Sequence, residues 1–361
     1  MTGARNGAVC RVGALRGRAR FEPLGRLLGV VHTRSVVAGL VVVLALAAAV
    51  PPALGHVPAF AADNDDPGNA TYVDDPAKSW SFYDRVDANE SAYYRTYLES
   101  GERLQVSTFV PRDGGFRPGF VVLSPALNDT SGVPAHVEVP DGYGARVVEP
   151  TASGGAAYEP FTPAALYRTA DLNVTVDTAG TYYVAAYDPD REAGAVGVVV
   201  GYAESFGVEE YVTVPLDRPR IHAWEGQPAW VVYGPILLGV LGTLAAFAWW
   251  TGADGGERTP RSIVLAGASA LYAGGVAGVA VQTAVAASIS GLTAGVLLTL
   301  AFVLVPTALA WYLLGRAVDD HPPSRARRLA LLAVAAFGVA TWAGFLAGPA
   351  LVALAAGLPT E

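Results

Sequence analysis

Side chains able to do chemistry are few in this chain, and they do not gather along the sequence. Asp188-Pro189-Asp190-Arg191-Glu192 sets three acids at i, i+2 and i+4 after an apolar run. Carboxylates at that spacing can offer oxygen ligands to a hard cation such as Ca²⁺. Asp-Pro more commonly makes a tight surface turn, and the segment is read as an acidic turn. His136 and His222 stand alone, without the paired spacing of a zinc site. Glu209-Glu210 and Asp74-Asp75 are the acid pairs of a solvated face. Gly-x-Ser-x-Gly and a P-loop are both absent. The sequence therefore assigns no catalytic residue, no metal ligand, no cofactor and no nucleic-acid contact. Tyr143, Tyr158 and Phe161 could line a carbohydrate or peptide groove, although such rings more often fill core or anchor loops.

Covalent chemistry leaves a clearer trace. Asn69, Asn89, Asn128 and Asn173 each open an Asn-x-Ser/Thr triplet with no proline in the middle. All four fall within residues 62–228, where Asn64 is the only asparagine outside such a triplet. They are glycosylation candidates on a secreted surface.

The elements that position these residues divide at 230–250, which opens on Trp230, closes on Trp249-Trp250 and carries no charge. About 20 apolar residues at 1.5 Å each match the hydrocarbon core of a bilayer, and the aromatic ends suit its two interfaces. Three more apolar spans follow at 263–285, 292–314 and 329–351. Arg258 and Arg261 lie between the first two; Arg316, Arg325, Arg327 and Arg328 lie between the last two; segment 286–291 is uncharged. The positive-inside rule puts both arginine loops in the cytoplasm, and with them residues 62–228 and Glu361 outside. Small residues recur every four positions at Ala266, Ala270, Gly274 and Gly278, at Gly291 and Gly295, and at Ala340, Gly344 and Gly348. Such ridges let helices approach closely in lipid. No Asp, Glu, Lys, Arg or His falls inside the four spans, which argues against proton-coupled transport and electron transfer.

Charge follows the same division. Residues 62–228 hold 26 acids against 11 basic residues, and the rest of the chain holds 6 acids against 13 arginines. Lys78 is the only lysine. Acid excess with lysine depletion fits a salt-loving archaeon, because high salt screens self-repulsion, with a GC-rich bacterium as the alternative. The single cysteine, Cys10, leaves no disulfide framework. Residues 1–61 combine seven arginines before position 35, an apolar run at 36–50, Pro51-Pro52 and an Ala59-Phe60-Ala61 site. That order describes a secretory signal cleaved after Ala61, with an uncleaved N-terminal anchor as the alternative. A flexible leader is expected at 62–78.

Residues 79–228 read as a sandwich domain. After an aromatic-rich stretch to about 99, short β-patterned runs recur at 104–110, 120–123, 135–139, 145–148, 172–176, 182–187, 195–200 and 208–214. Their spacing predicts an all-β, jelly-roll or immunoglobulin-like sandwich, followed over 229–357 by an all-α four-helix transmembrane bundle. Tyr93-Tyr94-Arg95-Thr96-Tyr97-Leu98-Glu99-Ser100-Gly101-Glu102-Arg103-Leu104 and Ala179-Gly180-Thr181-Tyr182-Tyr183-Val184, with the strand at 196–202, resemble the pre-peptidase C-terminal β-sandwich family. The resemblance covers about a third of the chain and implies a binding or spacer domain without activity. The layout as a whole also resembles archaeal membrane-anchored surface proteins. The expectation is thus a non-enzymatic, multi-pass surface protein of the cell membrane. Its partners would be the bilayer, envelope carbohydrate or peptide, and a membrane protein or a second copy. A channel or uncoupled transporter component with an extracellular cap is the alternative. An ectoenzyme acting on envelope polymers comes third.

Overall fold

The computed structural model describes residues 55–151, 154–254, 258–319, 321 and 324–358. Within them, period-two apolar patterning builds eleven strands in two sheets. The first sheet runs β1 (Val57–Ala59), β3 (Trp80–Val86), β11 (Gly194–Val200), β5 (Arg103–Val110), β9 (Ala164–Thr175) and β8 (Ala157–Glu159). The second runs β2 (Thr71–Tyr72), β4 (Ser91–Leu98), β10 (Gly180–Tyr187), β6 (Gly119–Ser124) and β7 (Gly144–Val148). Pairing is antiparallel except at β1 and β2, which add to the edges in parallel. The inner faces meet through Phe82, Tyr94, Leu104, Val106, Phe120, Val122, Val184 and Val198. The β-sandwich followed by helices is therefore the observed fold.

Both outer faces are covered as well. Tyr93, Val121, Leu123 and Tyr187 of the second sheet pack with Val137 from the loop after β6. Tyr83, Phe109 and Val199 of the first sheet pack with Ile221 and Trp224 of helix α1 (Val208–Trp224). Each such side chain removed from water is worth about 2 kcal/mol, so the covering loop and helix are held firmly.

Three expected segments of the sandwich half change at this level, at 62–78, 135–139 and 208–214. Segment 62–78 is folded rather than a loose leader: Asn64, Ala70 and Val73 are buried, and Thr71–Tyr72 pairs with β4. The Ala59-Phe60-Ala61 site lies at the end of β1, so cleavage after Ala61 would remove an edge strand of the first sheet. The rest of the expected signal lies outside the described residues. Segment 135–139 is loop; the prolines at 134 and 140 bound it, and Val137 is buried against the second sheet with Val139 packed beside it. Segment 208–214 is helix, not strand. Glu210 accepts the Gly207 backbone N–H at the helix start, and seven residues are too few to separate the two periods.

Among the described residues, three helices are long and apolar enough to cross a membrane: α2 (Ala229–Asp254), α3 (Pro260–Ser290) and α4 (Ala294–Asp319). Gly239 of α2 lies against the Ala273 carbonyl, and Gly274 of α3 against Ile236 and Val240. The ridge Ala266, Ala270, Gly274 and Gly278 is buried along its length. The expected fourth span at 329–351 is not continuous. It is a hairpin of α5 (Arg325–Thr341) and α6 (Ala347–Gly357), turned at Trp342, Gly344, Phe345 and Leu346, all at positive φ. The expected ridge of Ala340, Gly344 and Gly348 is broken by this turn, and Gly338, Gly344 and Gly348 come together instead. They form a cradle around the Tyr272 ring, and a Cβ at Gly344 would lie 2.7 Å from it. Arg261, placed by the sequence in a loop, is buried in the first turn of α3. Its Nε donates to the Ala355 carbonyl at 3.1 Å and its Nη1 to the His321 carbonyl at 3.2 Å. The last turn of α6 thus lies at the arginine-loop end of the helices. Glu361 itself lies outside the described residues.

Replacing Gly274 with leucine drives a side chain into the Ile236 carbonyl and Val240. It is expected to cost about 3 kcal/mol, measured as loss of thermal stability of the full chain in detergent. Gly242→Leu, where nothing lies within 4 Å, should leave the melt unchanged.

Candidate interaction site at the junction of sandwich and helices

The sequence-selected residues do not converge on one place. The Asp188 carboxylate is buried and accepts three backbone N–H groups: Arg117 at 2.7 Å, Asp190 at 2.9 Å and Glu192 at 3.2 Å. It staples its own turn, as Asp at a turn start does. Among the described residues, no three or more His, Cys, Asp or Glu are placed to hold a metal ion. The His136 ring packs against Tyr187 at 5.9 Å, and burial followed by the Arg191 charge lowers its pKa. His222 is buried at the end of α1 with Nδ1 3.2 Å from Glu225. The pair His56 Nδ1 and Ser79 Oγ, at 2.6 Å, has the contact of a nucleophile and its base. Ser79 is buried, however, and the charge facing His56 is Arg168 rather than a carboxylate, so the imidazolium is opposed.

All four glycosylation candidates are exposed. Asn69 donates its side-chain amide to Asp65 at 2.7 Å, and Asn173 accepts from Arg103 at 2.7 Å. Asn89 sits at positive φ in the β3–β4 turn, and Asn128 lies in the loop after β6.

The three groove aromatics part company. Tyr143 packs edge-on against Tyr183 at 5.6 Å under the second sheet. Tyr158 donates its hydroxyl to Thr299 of α4 at 2.9 Å, and Gly295 leaves room for its ring. Phe161 stacks on Phe206 at 5.4 Å and meets Trp342 edge-on at 5.6 Å. Two of the three therefore join the sandwich to the helices.

The junction draws its partners from α1, α5, β3 and β5 and from connecting loops. Trp342, at the hairpin turn, packs with Phe161, Phe206 and Tyr211, and its Nε1 donates to the Tyr211 carbonyl at 2.8 Å. Tyr211 in turn donates its hydroxyl to the Val339 carbonyl at 2.6 Å. At the other end of α1, Trp224 lies edge-on to Tyr83 and Phe109 and donates to the Asp84 carbonyl at 2.6 Å. Lys78 pairs with Glu210 across 132 positions, and this hydrogen bond holds the Glu210 carboxyl below its usual range. Arg112 donates to the Gly226 carbonyl at 3.2 Å.

A second polar cluster was not singled out by sequence. Asp84 is buried and accepts from the Tyr94 hydroxyl at 2.6 Å and the Asn64 amide at 3.1 Å. Burial and then the Asp84 charge push the Tyr94 hydroxyl far above its ordinary range, so it stays a donor. The cluster borders an open cleft of about 330 Å³ that also exposes Asp63, Asp65, Asp87 and Glu90. Ser91 also lines the cleft, with its hydroxyl donated to the His136 carbonyl at 3.3 Å. No protein-family model matches the chain, and no curated protein matches it.

Trp342→Ala removes the aromatic lock at a cost of about 2 kcal/mol. Proteolysis of the full chain at 201–207 should then speed up roughly tenfold or more, whereas Trp249→Ala, 76% exposed on α2, should leave it unchanged. Glu210 has a depressed folded pKa, so its contribution is complete above the ordinary value of 4.5 and disappears as pH falls through the folded value. Glu210→Gln is expected to lower stability by about 1 kcal/mol at neutral pH and to flatten this acid-side loss. Thermal melts from neutral to acid pH measure both effects.

Proposed function

We propose that this chain is a multi-pass cell-surface protein that presents its β-sandwich at the outer face of the membrane. There it would bind a partner or serve as one subunit of a membrane assembly. The lock of Trp342 with Phe161, Phe206 and Tyr211 carries this reading, because it ties the presented domain to the helices at a second point besides the chain connection. Exposed Tyr72 and Tyr202, each with an arginine over the ring, are the kind of amphipathic surface that sugars and peptides use. The resemblance to pre-peptidase sandwiches supports binding rather than catalysis, and the exposed Asn69, Asn89, Asn128 and Asn173 fit a glycosylated outer face. Orientation rests on the arginine loops. Because α6 returns to Arg261, the same rule puts the last described turn in the cytoplasm. A single fourth crossing would have placed it outside.

The hairpin also favours a second reading. Broken helices inside a bundle recur where membrane proteins line a passage, so an uncoupled channel or transporter subunit with an extracellular cap is the alternative.

With Cys10→Ser as background, Ser131→Cys should react with an impermeant maleimide on intact cells. Ser324→Cys and Gly357→Cys should react only after permeabilisation. The reverse pattern overturns the orientation. Photo-crosslinking from Tyr97, 49% exposed, should give a discrete adduct in native membranes; its absence counts against partner binding. Solute flux into liposomes holding the purified chain would move the conclusion to the second reading.

A further inference from the structure

We propose that α1 is an interfacial helix whose Val208, Val212 and Leu216 stripe lies in the outer leaflet of the bilayer. One face of α1 buries Val214, Pro215, Ile221 and His222 toward the sandwich. The opposite face leaves Val208, Val212 and Leu216 exposed at 88%, 49% and 63%, at i, i+4 and i+8. Glu209, Thr213, Arg220 and Ala223 flank them, and Arg220 is turned over the Phe60 ring at 3.8 Å and paired with Asp217. A monomer in water has no use for a stripe of aliphatic side chains covered by nothing of its own.

The position of α1 names what covers it. Tyr211, in the first turn, is bonded to the Val339 carbonyl of α5 and to Trp342. The last turn passes through four residues into α2, whose Trp230 and Tyr233 are exposed at 75% and 49%, as interfacial aromatics are. Both ends of a helix about 25 Å long are therefore tied to the apolar helical region, one at the α5–α6 turn and the other at the candidate span α2. An amphipathic helix held in that plane buries its aliphatic face at the boundary of headgroups and acyl chains. The sandwich then rests on lipid as well as on protein, which limits its tilt.

The inference relies on α2–α4 spanning the bilayer, and the test separates the two. Single cysteines replace Val212 or Leu216 in the Cys10→Ser full chain, with Leu298→Cys on α4 as the buried-in-lipid control and Asp190→Cys on the sandwich as the aqueous control. Each is labelled with bimane in phosphatidylcholine–phosphatidylglycerol vesicles. Nitroxide lipids carrying the spin label near the headgroup should quench positions 212 and 216 at least about twofold more than position 190. Iodide should quench them less than position 190. Iodide quenching without lipid quenching at 212 and 216, beside lipid quenching at 298, overturns the inference and leaves the spanning helices intact. Loss of lipid quenching at 298 as well overturns both.

Discussion

Backbone amides cut off from water must find partners in the protein, and a helix that unwinds among packed side chains must satisfy its own polar groups. This constraint governs the turn between α5 and α6. Its carbonyls and amides close on one another: Phe345 N–H donates to Trp342, and Gly348 N–H to Gly344 at 2.7 Å. Tyr272 fills the cradle of Gly338, Gly344 and Gly348 and donates its hydroxyl to the Val334 carbonyl at 3.1 Å. Trp342 is freed by the turn to face the sandwich. The break, the docking and the return of α6 to Arg261 are thus one arrangement, and a continuous fourth helix would allow none of them.

The sandwich obeys the same rule. Its two inner faces make the core that period-two patterning demands. The strands are nevertheless apolar on both faces, and all six residues of β6 are buried. A loop carrying Val137 covers one sheet and α1 covers the other. Helix α1 is therefore both the lid of a β-domain and its link to α2, which places Trp224 between Tyr83, Phe109 and the connection to the helices.

The candidate site was only partly legible in the sequence. Tyr158 and Phe161 were candidates for a groove, with core filling or loop anchoring the commoner role, and the structure uses both as docking residues. Trp342 gave no such signal, because an aromatic residue inside an apolar span looks like any lipid-facing ring. Lys78 and Glu210, 132 positions apart, could not be paired by local pattern. Asp84 carries no local signal and Asn64 fell in the expected leader; burial makes Asp84 the acceptor of both the Tyr94 hydroxyl and the Asn64 amide.

Periodicity and composition alone determined the order of domains, the strands from β5 to β11 other than β8 and most of β9, and three apolar helices long enough to span a bilayer. These follow from local spacing, since each element must bury one face or match one thickness. Tertiary structure decided the rest. The 208–214 segment has too few residues for its period to choose between helix and strand, and sheet contact with Ile221 and Trp224 chose helix. The 329–351 segment has the length and apolarity of a full span. Packing of Tyr272 against three glycines, which no hydropathy pattern records, divides it into two helices.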